Sequence, residues 1–510
     1  MRHCAQDDGF ARSRDRFEEV VRFLEGGSSA GLTHAQLEDR LDTEGRELLR
    51  LLFQDHLDLR SHREEPLDEV VGADGVVRRY NEAGHARSLE TVFGRVRVTR
   101  RAYRRKGQAN LHPADGALNL PRERYSHGLR RLSAIEASRG SFEEAIEAVE
   151  RASGGHVPKR QAEQLARRAA VDFDAFYAQR QIEAADGHDV LVISADGKGI
   201  VMLPDALRKA TRDAASRSSH KLTSRLSKGE KRGRKRMAEV GAVYDVTPLP
   251  RKATDIIGDS DDKAEAPTAE NKWLTASVVQ DTATVIASVF EEAERRDPHH
   301  QRTWVALVDG NNHQISRLEA EAAARGVKLT ILIDVVHVLE YLWSAAWSFF
   351  AEGDAAAESW VGDKALSVLE GNASTVAASI RRKATRLGLD AATRNNADTC
   401  ADYLLAKQDH LNYPLALQQG WPIATGVIEG ACRHLVKDRM DLTGARWGLE
   451  GAEAILRLRA LRANGDFDNY WSFHLGRERQ RIHESRYHNE TLPWQPELTS
   501  LSRSRTHTVP

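Results

Sequence analysis

Three acidic residues stand where an apolar segment of the sequence ends, and glycine follows each of them directly. They are Asp196 in SADGKG, Asp309 in VALVDGNN and Glu429 in TGVIEGAC. Carboxylates that share one cleft repel each other unless divalent cations compensate their charge. Because oxygen ligands favour hard cations, the expected ions are Mg²⁺ or Mn²⁺. The sequence therefore predicts a metal centre in which Asp196, Asp309 and Glu429 are both the metal ligands and the catalytic residues.

Two such ions would suit phosphodiester chemistry. When they lie about 4 Å apart, they activate a water or a 3′-hydroxyl and stabilise the leaving oxygen of an in-line displacement. We therefore expect two bound ions and DNA phosphoryl transfer as the reaction.

Each acid also has a purely structural interpretation when it is taken alone. Aspartate at the end of a strand often forms a turn or caps a helix, and Glu429 has an ion-pair partner four residues later in Arg433. Glu429 is preferred as the third acid because apolar residues flank it on the same helix. Its rivals by spacing are Asp438, Asp441, Glu450 and Glu453.

The order of the predicted elements positions the acids. Within residues 188–200, an apolar run rich in β-branched residues ends at Asp196 and is followed by a turn. Two further strands are predicted, at 200–203 and in MAEVGAVYDV. A helix from about Trp273 to Arg295 follows, then a fourth strand ending at Asp309, and then a fifth strand, VKLTILIDVV. A long helical stretch precedes the helix of Glu429. This is the order of a ribonuclease-H-like core, in which strands one and four are neighbours and their terminal acids lie side by side.

The N-terminal part holds two basic motifs. Residues 88–105 alternate in the manner of a β-hairpin rich in arginine, which suits either phosphate contact or an exposed sheet face. An S-x-x-E capping box at Ser141 begins a helix, and a second helix follows Pro158. This pattern matches a DNA-binding helix-turn-helix, although plain helical domains contain similar hairpins. The basic residues expected to bind DNA on its second helix are Lys159, Arg160, Arg167 and Arg168.

A strongly basic segment lies inside the α/β part. Residues 208–236 contain twelve Lys or Arg against two acids, a composition that cannot pack into a core. The residues expected to contact DNA here are Lys231, Arg232, Arg234, Lys235 and Arg236.

Composition narrows the class of protein. The 510 residues allow two to four domains, with 41% hydrophobic and 29% charged residues. No apolar run approaches the roughly 20 residues of a membrane span, and no secretory signal is visible, so we expect a cytoplasmic, nucleoid-associated protein. The three cysteines lie far apart, which argues against a disulfide framework or a structural zinc site.

The motifs resemble the DDE transposases of bacterial insertion sequences, specifically the ISKra-type group, which is related to mutator-like transposases. The most specific segment runs from Gly426 to Trp471, supported by SADGKG, VALVDGNN and DVVHVLEYLW. The family's acids fall on Asp196, Asp309 and Glu429. Asp334 and His337 resemble an accessory element of mutator-like relatives, and the structural alternative is strand-end packing plus a helix cap.

The resemblance implies how the protein acts and on what. It implies metal-dependent strand cleavage and strand transfer at element ends, with double-stranded DNA as partner, both as terminal inverted repeats and as target. It implies a homo-oligomer that pairs both ends, and it places Arg433, His434 and Lys437 near phosphates, with Arg446 and Trp447 as further candidates. Two alternatives remain open: a ribonuclease-H-like nuclease without transposition, and a non-catalytic DNA-binding protein derived from a transposase.

The predicted fold class is α/β, a ribonuclease-H-like mixed sheet with a helical insertion, preceded by a mainly helical N-terminal region with a β-hairpin. The predicted domains are a helical region with the basic hairpin (1–120), a helix-turn-helix-like DNA-binding region (121–185), the first part of the catalytic core (186–350), a helical insertion (351–412), the second part of the core with the Glu helix (413–465) and a loose polar tail (466–510).

Overall fold

The chain folds as two units, Met1–Phe176 with Phe467–Pro510, and Tyr177–Asp466. The structure is a computed structural model that describes residues 9–182, 189–217, 233–258, 264–442 and 444–493. Within these ranges no helix combines the length and the apolar composition that crossing a bilayer requires.

The first unit combines helices with a β-hairpin. Its elements begin with α1 (Ala11–Glu25), α2 (His34–His62), β1 (Val70–Val71), β2 (Val77–Arg78), β3 (Tyr80–Thr91), β4 (Gly94–Arg104), α3 (Pro113–Ala117), α4 (His127–Arg139), α5 (Phe142–Ala152), α6 (Lys159–Ala169) and α7 (Phe173–Gln179), the last of which runs into the second unit. β3 and β4 pair antiparallel and form the predicted hairpin. The capping box at Ser141 is present and starts α5.

Helices α4, α5 and α6 share one apolar core. Leu129, Val149 and Leu165 are buried together, one from each helix. The turn between α5 and α6 is tied to the tip of the hairpin, because the Gly154 amide donates to the Val92 carbonyl at 2.8 Å. The helix-turn-helix-like segment and the basic hairpin therefore form one packed structure.

The second unit is built on a mixed sheet with helices. Its elements are β5 (Val190–Met202), α8 (Lys209–Arg217), β6 (Arg234–Val246), α9 (Ala253–Ile256), β7 (Ala269–Ser277), α10 (Thr282–Arg296), β8 (Thr303–Val308), α11 (Asn312–Arg325), β9 (Leu329–Ile333), α12 (Val335–Ala346), α13 (Ala355–Leu369), α14 (Ala373–Arg386), α15 (Ala391–Ala406), α16 (Tyr413–Gln418), α17 (Gly426–Ala431), α18 (Asp438–Met440) and α19 (Leu449–Ala463). Helices α13 to α15 lie within residues 351–412, where the insertion was predicted.

Five strands form the sheet in the order β7-β6-β5-β8-β9. β6 pairs antiparallel with both β5 and β7, whereas β5 with β8 and β8 with β9 are parallel pairs. The first strand of the sheet is therefore central, with the second and the fourth strands as its neighbours. This is the ribonuclease-H-like order, and the predicted fold class is confirmed.

Two of the predicted strands are one strand in the structure. β5 runs unbroken from Val190 to Met202 and includes both glycines of the motif DGKG. A turn was predicted there because Asp-Gly pairs favour turns, but β6 pairs with β5 along its whole length, with Gly197 opposite Glu239. A side chain at position 197 would meet only the terminal methyl of Met237, a flexible and exposed side chain. The extended conformation of Gly197 therefore follows from its pairing with β6.

The third strand of the sheet replaces the start of a predicted helix. The helix expected from about Trp273 is wrong over its first residues, because Ala269–Ser277 form β7 and α10 begins only at Thr282. Asp281 caps this helix by accepting from the Thr284 amide at 2.9 Å.

The expectation of a loose tail is also wrong for residues 467–482. Phe467–Ile482 form α20, which belongs to the first unit and buries Tyr470 and His474. The Tyr470 hydroxyl donates to the Ala169 carbonyl at 2.6 Å. Polar composition suggested disorder, but the aromatic residues at the start of this segment supply an apolar face.

Candidate functional site

Asp196 and Asp309 occupy equivalent places on neighbouring strands. The parallel pairing of β5 with β8 ends at Ser194 opposite Leu307, and each aspartate lies two residues beyond that pair. Asp196 is still part of β5, whereas Asp309 directly follows the last residue of β8. Both side chains are half-buried. The fold thus places the backbones of these two predicted acids just beyond the end of the β5–β8 pairing.

β5 continues past β8, so Asp196 lies within a strand rather than at its end. Its carboxylate accepts the amide of Gly197 at 2.6 Å. Asp309 follows the last residue of β8 and accepts the amide of Asn311 at 2.8 Å. The turn-forming role that the sequence offered as an alternative for Asp309 is therefore present, and it fixes the start of α11.

Glu429 lies on a helix that contacts Asp196. α17 continues into a π-helical turn, Cys432–Lys437, and then into α18. Within this turn the Cys432 thiol donates to Asp196, with 3.2 Å between Sγ and Oδ2. Glu429 is exposed, three residues before Cys432. π-Helical turns inside α-helices are frequent at functional sites.

A threonine lies between Glu429 and the buried Asp334. The Thr425 hydroxyl is hydrogen-bonded to Asp334, and its Oγ1 lies 3.4 Å from Oε1 of Glu429. Asp334 is fully buried, and its backbone amide donates to the Val308 carbonyl at 2.8 Å. Asp334 also caps α12 by accepting the Val336 amide at 2.9 Å. The strand-end packing and helix cap considered for Asp334 are therefore both observed.

A cleft opens beside Asp309. It has a volume of about 480 Å³ and is lined by Asp309, Gly310, Asn311, His337, Glu340, Tyr341, Ser344, Thr399 and Tyr403. His337 lies in the first turn of α12 and is hydrogen-bonded to Glu340 at 2.9 Å. The Tyr403 hydroxyl donates to the Asp309 carbonyl at 3.3 Å.

Burial and neighbouring charges shift the pKa of two side chains around these acids. Burial raises the pKa of the Cys432 thiol, and the nearby charge of Asp196 raises it further, so the thiol keeps its hydrogen. Burial by itself lowers the pKa of His337, but the hydrogen bond to Glu340 and the charges of Asp309 and Asp334 outweigh it. The net effect is a raised pKa, which favours an imidazolium in the cleft.

The donor set matches a hard cation in chemistry. Asp196 and Asp309 offer carboxylate oxygens from the same sheet edge, and Glu429 lies on the helix that touches Asp196. Over the described ranges, no group of three His, Cys, Asp or Glu side chains is arranged to hold a metal ion. The two aspartates are thus the part of the predicted set that the sheet itself brings together.

The rivals of Glu429 have other partners or lie on the surface. Glu453 is buried and accepts from Ser277 and from the Val278 amide, both at 2.9 Å, so it caps the end of β7. Asp438 pairs with His434 at 3.2 Å and with Arg433 at 3.8 Å. The ion pair expected between Glu429 and Arg433 is therefore replaced by one to Asp438. Asp441 and Glu450 are exposed.

The predicted DNA-binding residues of α6 lie in ion pairs of the first unit. Lys159 pairs with Glu143, Arg168 pairs with Glu123, and Arg167 pairs with Glu163 at 2.6 Å. Arg160 is exposed. A DNA phosphate would have to replace these carboxylates as the partner of each cation. Exposed ion pairs are weak, so such an exchange costs little free energy.

The basic residues of the second unit differ in their surroundings. Lys231 and Arg232 lie outside the described residues. Arg236 donates to the carbonyls of Val278, at 2.7 Å, and of Ala206, at 3.2 Å, so it holds two backbone segments together. Burial lowers the Arg236 pKa. The remaining predicted residues at least partly reach the surface, namely Arg234, Lys235, Arg433 and Lys437.

Trp447 is part of the core. It is 6% exposed, and its indole donates to the Met440 carbonyl at 3.0 Å. The Arg439 guanidinium lies 4.7 Å from its ring centre. A direct contact of Trp447 with DNA is therefore not supported, whereas Arg446 is exposed.

Sequence reasoning missed Thr425, Cys432, Tyr341 and Tyr403 as parts of the site. Two of them carried a readable signal, since Thr425 stands four residues and Cys432 three residues from Glu429, one helical turn away on either side. The tyrosines carried no such signal, because α12 and α15 meet only through the tertiary fold.

Comparisons with known proteins add little to this site. No protein-family model matches the sequence, and no curated protein matches it. Among solved structures, the Drosophila P element transposase strand transfer complex matches with a TM-score of 0.24 and 11% identity, covering 69% of this chain and 81% of that chain. A similarity of this size carries no weight for fold or function, which here depend on the strand order and the placement of the acids.

Proposed function

We propose that this chain is a DDE transposase of the ISKra type, which cuts and joins DNA strands at the ends of an insertion sequence. One observation carries the proposal: Asp196, within β5, and Asp309, directly after β8, each lie two residues beyond the last pair of these neighbouring parallel strands, in a sheet with ribonuclease-H-like order. Two carboxylates that follow such a pair are suited to holding cations against a phosphodiester.

The three acids would hold the cations, and neighbouring side chains contact two of them. Asp196, Asp309 and Glu429 would hold Mg²⁺ or Mn²⁺, which when bound activates a water or a 3′-hydroxyl and stabilises the leaving oxygen of an in-line displacement. Cys432 orients the Asp196 carboxylate through its thiol. Thr425 donates its hydroxyl hydrogen to the buried Asp334 and lies beside Glu429.

Binding of DNA falls to other residues. Arg433 and Lys437 are exposed cations on the helix of Glu429, so they are placed to contact phosphates of the strand to be cut. Helix α6 and the hairpin of the first unit are the proposed readers of the terminal inverted repeats. Pairing both ends of the element requires a homo-oligomer, which also binds the target DNA.

The proposal is tested by strand cleavage on a plasmid that carries the inverted repeats flanking the coding region. Asp196→Ala and Asp309→Ala should each reduce Mg²⁺-dependent cleavage by at least about 10³-fold. Both variants should retain DNA binding in a mobility-shift assay. Asp441→Ala is the matched control, since it removes an exposed acid at the end of the helical segment that carries Glu429 and should leave cleavage unchanged.

The other outcomes separate the alternatives. Retained cleavage by Asp196→Ala or Asp309→Ala refutes the catalytic assignment. Cleavage without transfer of a 3′-end into target DNA indicates a nuclease. Binding without cleavage in either Mg²⁺ or Mn²⁺ indicates a non-catalytic DNA-binding protein.

A further inference from the structure

The cleft beside Asp309 has an aromatic wall. Tyr341 of α12 and Tyr403 of α15 stack on each other, with 3.9 Å between ring centroids and 13° between planes. Both rings are half-buried and both line the cleft. Stacking uses only one face of each ring, and both residues also border the cleft.

The pair is held in place against the proposed catalytic strand. The Tyr403 hydroxyl donates to the Asp309 carbonyl, and the ring packs so closely on Gly310 that a side chain there would lie 2.7 Å from its oxygen. Gly310 has φ of 95°, a value that glycine adopts without strain. The aromatic wall is therefore fixed one residue from Asp309.

Helical spacing directs the remaining lining residues into the same space. His337, Glu340, Tyr341 and Ser344 follow the i, i+3, i+4, i+7 pattern of one face of α12, and Thr399 lies one turn before Tyr403 on α15. A volume of about 480 Å³ lies within the range of small-molecule sites.

The charge of the lining indicates which part of a DNA strand would enter. Apart from Asp309, which the proposed cations would compensate, the charged lining residues are Glu340 and His337, which pair with each other at 2.9 Å. The described lining residues include neither Lys nor Arg, so the cleft offers no unpaired cation to hold a phosphate. A nucleobase is neutral and flat, stacks on aromatic side chains, and offers edges to the hydroxyls of Ser344 and Thr399.

We propose that the cleft binds an unstacked nucleobase from the nucleotide next to the scissile phosphate, with the base resting on the Tyr341–Tyr403 pair. This inference rests on the proposed function, because it places the cut phosphate at Asp309. Taking one base out of the duplex costs a few kcal/mol, and the cleft compensates by stacking. The base then anchors the strand while the phosphate stays at the acids.

The test uses a duplex of one element end with its flanking DNA, in which 2-aminopurine replaces each nucleotide around the cut in turn. In Ca²⁺, binding of the full-length protein should raise the fluorescence at one position, where the base leaves the stack. Tyr341→Ala should abolish that rise and reduce Mg²⁺-dependent cleavage by about 5- to 150-fold, the factor that corresponds to roughly 1–3 kcal/mol for one base on one ring. The conservative Tyr341→Phe should keep the rise.

Two further variants guard against a folding defect. Ser344→Leu fills the cleft from α12 without altering the tyrosine pair and should act like Tyr341→Ala. Trp347→Ala removes an exposed aromatic residue from the end of the same helix and should change neither signal. An abasic nucleotide at the responsive position should remove the difference in cleavage between wild type and Tyr341→Ala.

Fluorescence and cleavage together distinguish a failure of the base-binding cleft from a failure of the proposed function. If the wild type cleaves the duplex but no position brightens, or if Tyr341→Ala and Ser344→Leu brighten like the wild type, the base-binding cleft is refuted and the catalytic proposal stands. If the wild type fails to cleave in Mg²⁺ and in Mn²⁺, both proposals fall together.

Discussion

The thiol of Cys432 donates a hydrogen bond to Asp196, with 3.2 Å between sulfur and Oδ2. This contact ties the helix of Glu429 to the central strand of the sheet across 236 residues of sequence. It links two of the three acids of the proposed site through a side chain that is itself buried.

Cys432→Ala should therefore weaken cleavage without unfolding the protein. Without the thiol, the Asp196 carboxylate loses a donor and gains freedom to rotate, at a cost of roughly 1–2 kcal/mol, or about 5- to 30-fold in cleavage rate. Cys432→Ser supplies a hydroxyl donor and should recover most of the rate. Single-turnover cleavage measures the effect, and equal rates for the alanine variant and the wild type would show that the contact is incidental.

Thr425→Val should lower stability as well as activity. It leaves the fully buried Asp334 without the hydroxyl that donates to it, and an unsatisfied buried acceptor costs about 1–3 kcal/mol. Thermal unfolding should show a lower Tm, whereas Thr425→Ser should stay close to the wild type. A Tm of Thr425→Val equal to that of Thr425→Ser contradicts the role given to the hydroxyl.

Gly310→Ala should strain the turn after β8. The new methyl group would meet the Tyr403 hydroxyl at 2.7 Å, and φ at this position is 95°. A destabilisation of about 1–3 kcal/mol is expected from both effects. Tyr403→Phe removes the oxygen, so the double variant should be more stable than the sum of the two single effects predicts. Additive losses in chemical denaturation would mean that the close approach does not matter.

The first unit should carry an acid-sensitive contact. Burial alone would raise the pKa of Asp172, but hydrogen bonds from His474 and Arg481 lower it from 3.8 to about 2. A carboxyl with a depressed pKa stabilises the fold above its unfolded value, and this contribution is lost as pH falls from about 4 towards 2.

Asp172→Asn should thus lower the Tm near neutral pH, and the gap to the wild type should narrow below about pH 4. Asp174→Asn is the matched control, because Asp174 is an exposed acid on α7. A gap of the same size at pH 7 and at the lowest pH that can be reached would contradict the pairing.

The sequence predicted that the strands of Asp196 and Asp309 are neighbours, because the order of acids, strands and helices is that of a ribonuclease-H-like core. It failed where local signals conflict with pairing. Gly197 lies in a motif typical of turns, yet the long partner strand β6 keeps it extended. Trp273 begins an apolar stretch that is continuous with a helix, and only the register with β6 makes it a strand.

The sequence predicted those residues of the site that directly follow an apolar run. Asp196 and Asp309 follow from the apolar runs before them. Thr425 and Cys432 act through contacts with distant residues, so their roles depend on how α17 packs against β5. The cleft of Tyr341 and Tyr403 depends on two helices that are about sixty residues apart in sequence, and periodicity alone does not pair such helices.

The central claim is that Asp196 and Asp309 share bound cations, and iron-mediated backbone cleavage tests it directly. Fe²⁺ replaces Mg²⁺ in the DNA-bound protein, and locally generated hydroxyl radicals cut the chain next to the ion. The account predicts cuts near both 196 and 309, competed by Mg²⁺ and lost at both places in Asp309→Ala. Cuts near only one aspartate, or cuts near 196 that persist in Asp309→Ala, would contradict it.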